Sequence, residues 1–293
     1  RLREASADSR PFFLYSHTEG VHSPFYPPKS WLGEFNNSSV DDQLALRELT
    51  VEKSFYKEMA EGPWTSEQVR IAYNLMYDTL MKYIDSILEE IVKSIETLNL
   101  ENTILVVTSD HGELLGEDGV ISHKISLHNG LLHVPMVVVG FDELQDVDGL
   151  VQHSDVMKTL CNYAGTNTEG MHGVDLLTDR RQYALSYRSK EAFQKTRFKI
   201  EEYNPNFDSS RYHKTNCIAI QDTANKLVYS ENKEELFILP DENYDVSEKN
   251  KQCAQSMREA AERITNETGQ IESSNEVEFS DEVKQRLEDL GYR

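Results

Sequence analysis

The chain has 293 residues, of which 38% are hydrophobic, a composition that allows one large globular domain or a large domain with a smaller one. The 51 acidic residues outnumber the 30 basic ones and give a formal net charge of -21, so the surface repels nucleic-acid backbones and anionic lipid. We therefore expect no nucleic-acid partner and no membrane partner. The three cysteines form no C-x-x-C pair, which disfavours a disulfide framework and indicates a reducing, cytoplasmic location. The acidity also suits a high-salt cytoplasm.

The first 180 residues carry the pattern of an α/β domain. Residues 12–15 are a short apolar run that predicts a strand, and serine and aspartate caps predict a helix that begins near residue 40. The longest helix signal covers residues 66–98, where apolar side chains recur at spacings of three, four and seven. Residues 103–109 and 134–140 are apolar without alternation, which is typical of parallel strands covered on both faces. The pattern predicts a central, mostly parallel sheet with flanking helices.

The character of the chain changes in its second half. Residues 153–165 predict a further helix, after which the apolar segments become shorter and more alternating. Antiparallel strands are predicted at residues 183–188, 198–203, 217–222, 226–230 and 235–240. A terminal helix is predicted to start at Ser280. We therefore divide the chain into an α/β core, residues 1–180, and a small C-terminal antiparallel subdomain with a terminal helix, residues 181–293.

Polar side chains follow two predicted core strands, at the edge where open α/β sheets bind ligands. Asp110 and His111 come directly after residues 104–108, and His22 follows residues 12–15. A carboxylate oxygen and an imidazole nitrogen suit a divalent metal, and Lys124 downstream could neutralise an anion beside it. A capping aspartate beside a surface histidine is the simpler explanation of Asp110 and His111. The residue types alone leave an anion-binding metal site and a structural pair equally open.

Longer stretches resemble the sulfatase family of the alkaline-phosphatase superfamily. The resemblance rests on "PFFLYSHTEGVHSPFYPP", the long helix that leads into "TILVVTSDHG", "TSDHGELLGEDGVISHK" followed by "HVPMVVVG", "VQHSDVMKTLCNYAG" followed by "HGVDLL", and "KEELFILPDENYDVSEKN". These blocks stand in the family's order and span most of the chain. The resemblance, which extends to haloarchaeal and bacterial members, implies an alkaline-phosphatase-like fold. It also implies a sulfuric ester hydrolase that acts on a small-molecule or glycan sulfate ester.

The resemblance also implies a role for particular residues. Asp110 and His111 correspond to metal ligands, for calcium in the first place and for magnesium or manganese as alternatives. Lys124 corresponds to the lysine that binds the sulfate group. His22 corresponds to the histidine that contacts the ester and protonates the leaving oxygen. The remaining histidines near these motifs are interpreted as structural: His17, His123, His128 and His133.

Two parts of the family pattern are absent from these residues. The family carries two adjacent metal-binding aspartates after its first strand, whereas Asp41 and Asp42 stand in a helix-start context. The family nucleophile is the Cys or Ser of a C/S-x-P-x-R motif, converted to formylglycine. The five residues from Ser9 to Phe13 imitate this motif but have Phe13 where arginine is required. We therefore expect the nucleophile to come from a missing N-terminal segment, and these residues alone to be inactive and to bind metal weakly.

Two other functions remain open from the sequence. A phosphate ester or phosphonate hydrolase of the same superfamily would use an unmodified serine or threonine as its nucleophile. A non-catalytic, sulfatase-like protein would bind an anionic glycan without cleaving it, although the strong negative charge of this chain argues mildly against such a partner.

Overall fold

A computed structural model describes residues 2–7, 10–18, 20–22, 25–28, 30–31, 52–62, 67–117, 120–144 and 147–268. Its helices are α1 (Leu2–Ser6), α2 (Glu52–Glu61), α3 (Glu67–Thr97), α4 (Asn129–Leu132), α5 (His153–Tyr163), α6 (Lys190–Glu201) and α7 (Lys251–Thr268). None of these described helices combines the length and the apolar character that a membrane span requires. The predicted helices near residue 40 and from Ser280 lie outside the described residues, as do Ser9, Asp41 and Asp42.

The described strands form three separate sheets. They are β1 (Leu105–Thr108), β2 (Leu114–Leu115), β3 (Ile121–Ser122), β4 (Met136–Val139), β5 (Ala184–Arg188), β6 (Cys217–Gln221), β7 (Asn225–Tyr229) and β8 (Glu234–Ile238). β1 pairs with β4, β2 pairs with β3, and the other four strands form one sheet in sequence order. The predicted C-terminal antiparallel sheet is thereby confirmed, with register pairs such as Ile220 opposite Leu227.

The prediction of a mostly parallel central sheet is not confirmed. β1 and β4 run antiparallel, with Leu105 opposite Val139, and the other strand pairs among the described residues are antiparallel as well. A parallel pair needs a long crossover that carries the chain back to the end where the first strand began. Here residues 109–135 form the short β2–β3 hairpin and the single turn of α4, so the chain re-enters the sheet from the end where it left β1.

The strand predicted at residues 12–15 is wrong. These residues have irregular backbone, and the side chains of Phe13 and Tyr15 are 70% and 74% exposed. Within the described part of the chain, no neighbouring strand pairs with them. Since an extended segment keeps strand geometry only when a partner takes up its N–H and C=O groups, apolar character alone does not make this run a strand.

Helix α3 confirms the longest helix prediction and organises the larger core. Its inward face buries Tyr73 and Met76, which are 1% and 0% exposed. The ring of Phe25 packs 5.0 Å from that of Tyr73, and the ring of Phe55 on α2 lies 5.4 Å from it. Aromatic packing of this kind stabilises beyond simple burial. Phe25 therefore anchors the segment that carries His22 against α3.

The strand predicted at residues 198–203 is also wrong, because this stretch is the end of α6. Ser189 caps α6 by accepting a hydrogen bond from the N–H of Ala192 at 3.1 Å. Phe193, Thr196 and Ile200 are buried, at the spacings of three and four that a helix requires. Phe193 and Ile200 join the core that surrounds Tyr73. The alternation that suggested a strand is the tail of this helical pattern.

A buried carboxylate holds the start of α5 in place. Asp155 is 0% exposed and accepts hydrogen bonds from the N–H groups of Gln152 and Val174, each at 2.8 Å. The guanidinium of Arg181 donates to both of its oxygens, with Nε at 2.7 Å. Burial on its own would raise the pKa of Asp155, but these donors outweigh it and hold that pKa below its usual value. The carboxylate thus ties α5 to the two segments that follow it.

We expect the stability of this protein to depend on Asp155 in a pH-dependent way. The folded-state pKa is depressed, so the stabilisation is complete above the unfolded pKa of about 3.9 and is lost as the pH falls through the lower folded value. Asp155→Asn should cost about 2 kcal/mol at pH 7, since Arg181 then keeps a neutral partner. Urea unfolding at pH 7 and pH 3 measures both effects. A pH dependence between these values that is as steep in the variant as in the unaltered protein would contradict this assignment.

Candidate active site

The end of β1 is locked by backbone contact with α4. The N–H of Gly112 donates to the carbonyl of Leu131 at 2.8 Å. A Cβ atom at position 112 would stand 2.0 Å from the carbonyl oxygen of Gly130, so only glycine permits this approach. The close contact fixes the direction in which Asp110 and His111 leave the strand.

The β2–β3 hairpin brings the second half of the site back to this strand end. Leu114 pairs with Ser122, which returns His123 and Lys124 to the vicinity of His111. Ser122 and Ile125, on either side of this pair, have φ values of 84° and 61°. Such left-handed backbone is unfavourable for a serine and more so for a β-branched isoleucine, and strain of this kind tends to accumulate at functional sites.

Three imidazoles lie together at the site. The ring centroids of His111 and His123 are 4.4 Å apart, those of His22 and His123 are 4.9 Å apart, and those of His22 and His111 are 6.5 Å apart. The Nζ atom of Lys124 is 3.4 Å from Nε2 of His123. The structure therefore brings together His22, His111 and Lys124, three of the predicted site residues. It also places His123, which we had interpreted as structural, between them.

Glu113 is a site residue that the sequence analysis missed. Its side chain is 4% exposed, and one carboxylate oxygen lies 3.1 Å from Nδ1 of His123. The hydroxyl of Tyr73 lies 3.5 Å from the other oxygen. Burial raises the pKa of Glu113 to about 7, against the opposing influence of His111, His22 and Lys124. The only signal for Glu113 in the sequence was its place inside the block "SDHGELLGE", which gives it no role by itself.

The hydrogen-bond partners of His123 define its tautomer when the ring is neutral. Its Nδ1 faces the carboxylate of Glu113, which accepts, and its Nε2 faces the ammonium of Lys124, which donates. The proton then resides on Nδ1, and the lone pair of Nε2 points at the lysine. Glu113, His123 and Lys124 thus form a chain of hydrogen bonds in which each residue orients the next.

The donors after β1 supply part of a metal site. Oδ2 of Asp110 is 3.9 Å from Nε2 of His111, and Nδ1 of that histidine lies 2.8 Å from the carbonyl of Gly112. The pair can present one carboxylate and one imidazole to a cation. Calcium takes six to eight oxygen ligands, and the described residues contain no group of three candidate side chains able to hold a metal. The residues present do not make a complete site.

We expect calcium to bind these residues weakly. With one carboxylate and one imidazole from the chain, the dissociation constant should lie at about 1 mM or above, the weak end of protein calcium sites. Isothermal titration of the 293-residue protein with CaCl₂ measures it, with Asp110→Asn as the variant and Glu248→Gln as a control on an exposed carboxylate. Micromolar binding, or binding that Asp110→Asn leaves unchanged, would contradict the expectation.

A cavity of about 1090 Å³ adjoins the cluster. Asp110, His111, His123 and Lys124 contribute to its lining from the end of β1 and the β2–β3 hairpin. Helix α6 and the strand before it contribute the residues Arg188, Lys195, Thr196 and Lys199. The space has the size of a small-molecule or sugar site.

Comparisons with known proteins show the family of the chain. The sequence model of the Sulfatase family matches residues 2–166, more than half of the chain. The chain belongs to the sulfatase family. It is 26% identical over 240 residues to arylsulfatase K of Canis lupus familiaris, covering 74% of this chain and 42% of the relative. It is 28% identical over 188 residues to the N-acetylglucosamine-6-sulfatase of Homo sapiens, covering 61% of this chain and 34% of the relative.

Solved structures support the fold at low sequence identity. The structure of Ps i-CgsB has a TM-score of 0.57 at 17% identity and covers 99% of this chain and 57% of that one. A phosphonate monoester hydrolase from Silicibacter pomeroyi has a TM-score of 0.52 at 16% identity, covering 69% and 42%. The chain thus spans about two fifths of the curated relatives that it matches over the longest stretch.

Proposed function

We propose that this protein hydrolyses sulfate esters. The observation that carries the proposal is the convergence of Lys124 and the three histidines beside one cavity, at the strand end that holds Asp110. Membership of the sulfatase family supports the same reaction. The acidic exterior does not argue against an anionic substrate at this point, because Lys124 places a permanent cation in the cavity wall.

Lys124 would bind the sulfuryl oxygens. When a nucleophile attacks sulfur, the ester S–O bond breaks and negative charge collects on the sulfuryl oxygens and on the leaving oxygen. A fixed ammonium beside these oxygens stabilises that charge more in the transition state than in the ground state. The chain from Glu113 through His123 orients the ammonium, which has three N–H donors and directs one of them at Nε2 of His123.

His22 would protonate the leaving oxygen. Its ring lies 4.9 Å from that of His123, whose Nε2 is in turn 3.4 Å from the ammonium of Lys124, so both groups stand next to the same imidazole. A positioned imidazole can transfer a proton near neutral pH, and transfer to the departing alkoxide or phenoxide removes the need to expel a strong base. Lys124 and His22 would therefore act at different places, Lys124 at the sulfuryl oxygens and His22 at the leaving group.

The nucleophile and the metal belong to the finer part of the proposal. We propose a formylglycine hydrate, supplied by a segment outside these 293 residues, as the group that attacks sulfur. We propose calcium, with magnesium or manganese as alternatives, as the metal to which Asp110 and His111 contribute two ligands. The two residues do not form a complete metal site, so the roles of Lys124 and His22 are derived without it.

The test is hydrolysis of 4-nitrophenyl sulfate by the product of the complete open reading frame. Release of 4-nitrophenol that depends on Lys124 and His22 supports the proposal. 4-Nitrophenyl phenylphosphonate and 4-nitrophenyl phosphate run beside it as competing substrates. A preference for either phosphorus compound would replace the sulfatase assignment with the hydrolase of phosphate esters or phosphonates. No turnover of any of the three, with sulfate still bound, would favour a binding protein.

A further inference from the structure

The charges around the cavity are the reverse of those of the whole chain. The chain has 51 acidic and 30 basic residues. Among the described residues that line the cavity, Asp110 is the only acidic one. The permanent cations in the same lining are Lys124, Arg188, Lys195 and Lys199. In a protein that is otherwise strongly negative, such a segregation concentrates anions in one place.

The cations fall into two groups on different elements. Lys124 belongs to the histidine cluster, where the proposed function places the reacting sulfate. Lys195 and Lys199 stand four residues apart on α6, so they share one helix face, and both contribute to the cavity lining. Arg188, at the end of β5, is 8% exposed and lies at the base of the same helix.

Each member of the second group is held differently. The ammonium of Lys199 lies 3.3 Å from the hydroxyl of Tyr56 and 5.0 Å from the centre of its ring, and Tyr56 lines the cavity too. Arg188 lies 5.1 Å from the ring of Phe193, and its Nε has no hydrogen-bond partner among the described residues. Lys195 is exposed and makes no ion pair within the described ranges of the chain.

We propose that Lys195 and Lys199 form a second anion subsite, and that the substrate is a sulfated sugar with a second anionic group. This rests on the proposed function, because the first anionic group is the sulfate ester held at Lys124. The second group is either another sulfate ester or a carboxylate, whose shared chemistry is a compact oxyanion on a sugar ring. Two lysines on one helix face can both donate to such a group.

The subsite is tested by binding, with probes that differ in the number of anionic groups. N-acetylglucosamine 6-sulfate carries one such group. A disulfated N-acetylglucosamine and a hexuronate with one sulfate ester each carry two, and they separate the two chemical sources. Affinities are measured by titration in a calcium-containing buffer, for the unaltered protein and for Lys195→Gln/Lys199→Gln. Lys190→Gln is the matched control, since Lys190 is exposed on the same helix and is not among the lining residues.

We expect the double variant to weaken at least one two-anion probe about tenfold, the loss of two charge-assisted contacts, and the one-anion probe less than twofold. Lys190→Gln should change neither. Equal weakening of all probes would overturn the subsite, because it would indicate a general loss of positive charge. So would unchanged binding of both two-anion probes. If no probe binds the unaltered protein, both the proposed function and the subsite are contradicted. If the one-anion probe binds as tightly as the two-anion probes, only the subsite is contradicted.

Discussion

Replacing Lys124 with alanine is expected to lower kcat/KM for 4-nitrophenyl sulfate by about 10² to 10³-fold, the loss typical of one charged or hydrogen-bonding group aimed at a developing oxyanion. Lys124 is the cation that the structure holds next to His123, 3.4 Å from its Nε2, and it lines the cavity. Without the ammonium, the sulfuryl oxygens would lose the permanent cation that lies beside the histidines. Steady-state assays of the complete protein measure the effect.

Two controls separate the charge of Lys124 from its bulk. Lys124→Met keeps the length of the side chain and should be as impaired as Lys124→Ala. Added methylamine should restore part of the activity to the alanine variant, which leaves room for it, and not to the methionine variant. Lys190→Ala, on the surface of α6, should leave kcat/KM within about twofold, as expected of surface substitutions. A Lys124→Ala variant with more than a third of the original kcat/KM would contradict the role of Lys124 in binding the sulfuryl oxygens.

The parts of the fold that were predicted correctly are those with a local signal. The apolar residues of α3 recur at helical spacing within the sequence, so the helix can be predicted from this segment alone. The predicted range of 66–98 differs by one residue at each end from the observed helix. The pairing direction of β1 and β4 has no such signal, because it depends on how residues 109–135 fold. Phe198 and Ile200 fit the end of a helix and an alternating strand equally well, and only the helical spacing from Phe193 decides between them.

The candidate site shows the same division. The blocks around Asp110 and Lys124 identified residues that the structure does bring to one place. The central position of His123 and the burial of Glu113 follow from the packing of the β2–β3 hairpin against Tyr73, which no short stretch of sequence encodes. His128, by contrast, serves structurally as interpreted, since its Nδ1 caps α4 by accepting from the N–H of Gly130 at 2.9 Å.

A buried ion pair connects the C-terminal sheet to the loop behind the site. Lys226 on β7 is 0% exposed, and its Nζ lies 2.6 Å from Glu242, 2.6 Å from the carbonyl of Leu127 and 3.0 Å from Oδ1 of Asn129. Glu242 in turn accepts from the N–H of Asn129 at 2.8 Å. The residues held in this way lead into α4, which clamps Gly112 and so the end of β1. The ion pair therefore stabilises the position of α4, and through it the end of β1, without being part of the site.

We expect Lys226→Met to destabilise the protein by about 3 to 5 kcal/mol, because the variant leaves the carboxylate of Glu242 buried without its cation. Removing that charge as well should recover much of the loss. Lys226→Met/Glu242→Gln keeps an oxygen that accepts from the N–H of Asn129. It should regain about 2 kcal/mol of the free energy of unfolding, because burying an uncharged amide costs less desolvation energy than burying a carboxylate. Urea unfolding monitored by circular dichroism measures both variants.

The matched control for this pair is Lys233, which faces Glu235 at 2.8 Å with its side chain 27% exposed. Because water still solvates that pair, Lys233→Met should cost less than about 1 kcal/mol. A double variant no more stable than Lys226→Met would mean that the hydrogen bonds to Leu127 and Asn129, and not the charge, dominate the contribution of Lys226. Equal losses in the free energy of unfolding for Lys226→Met and Lys233→Met would contradict the structural role of the buried ion pair. Sulfate binding at Lys124 should then be unchanged by both substitutions.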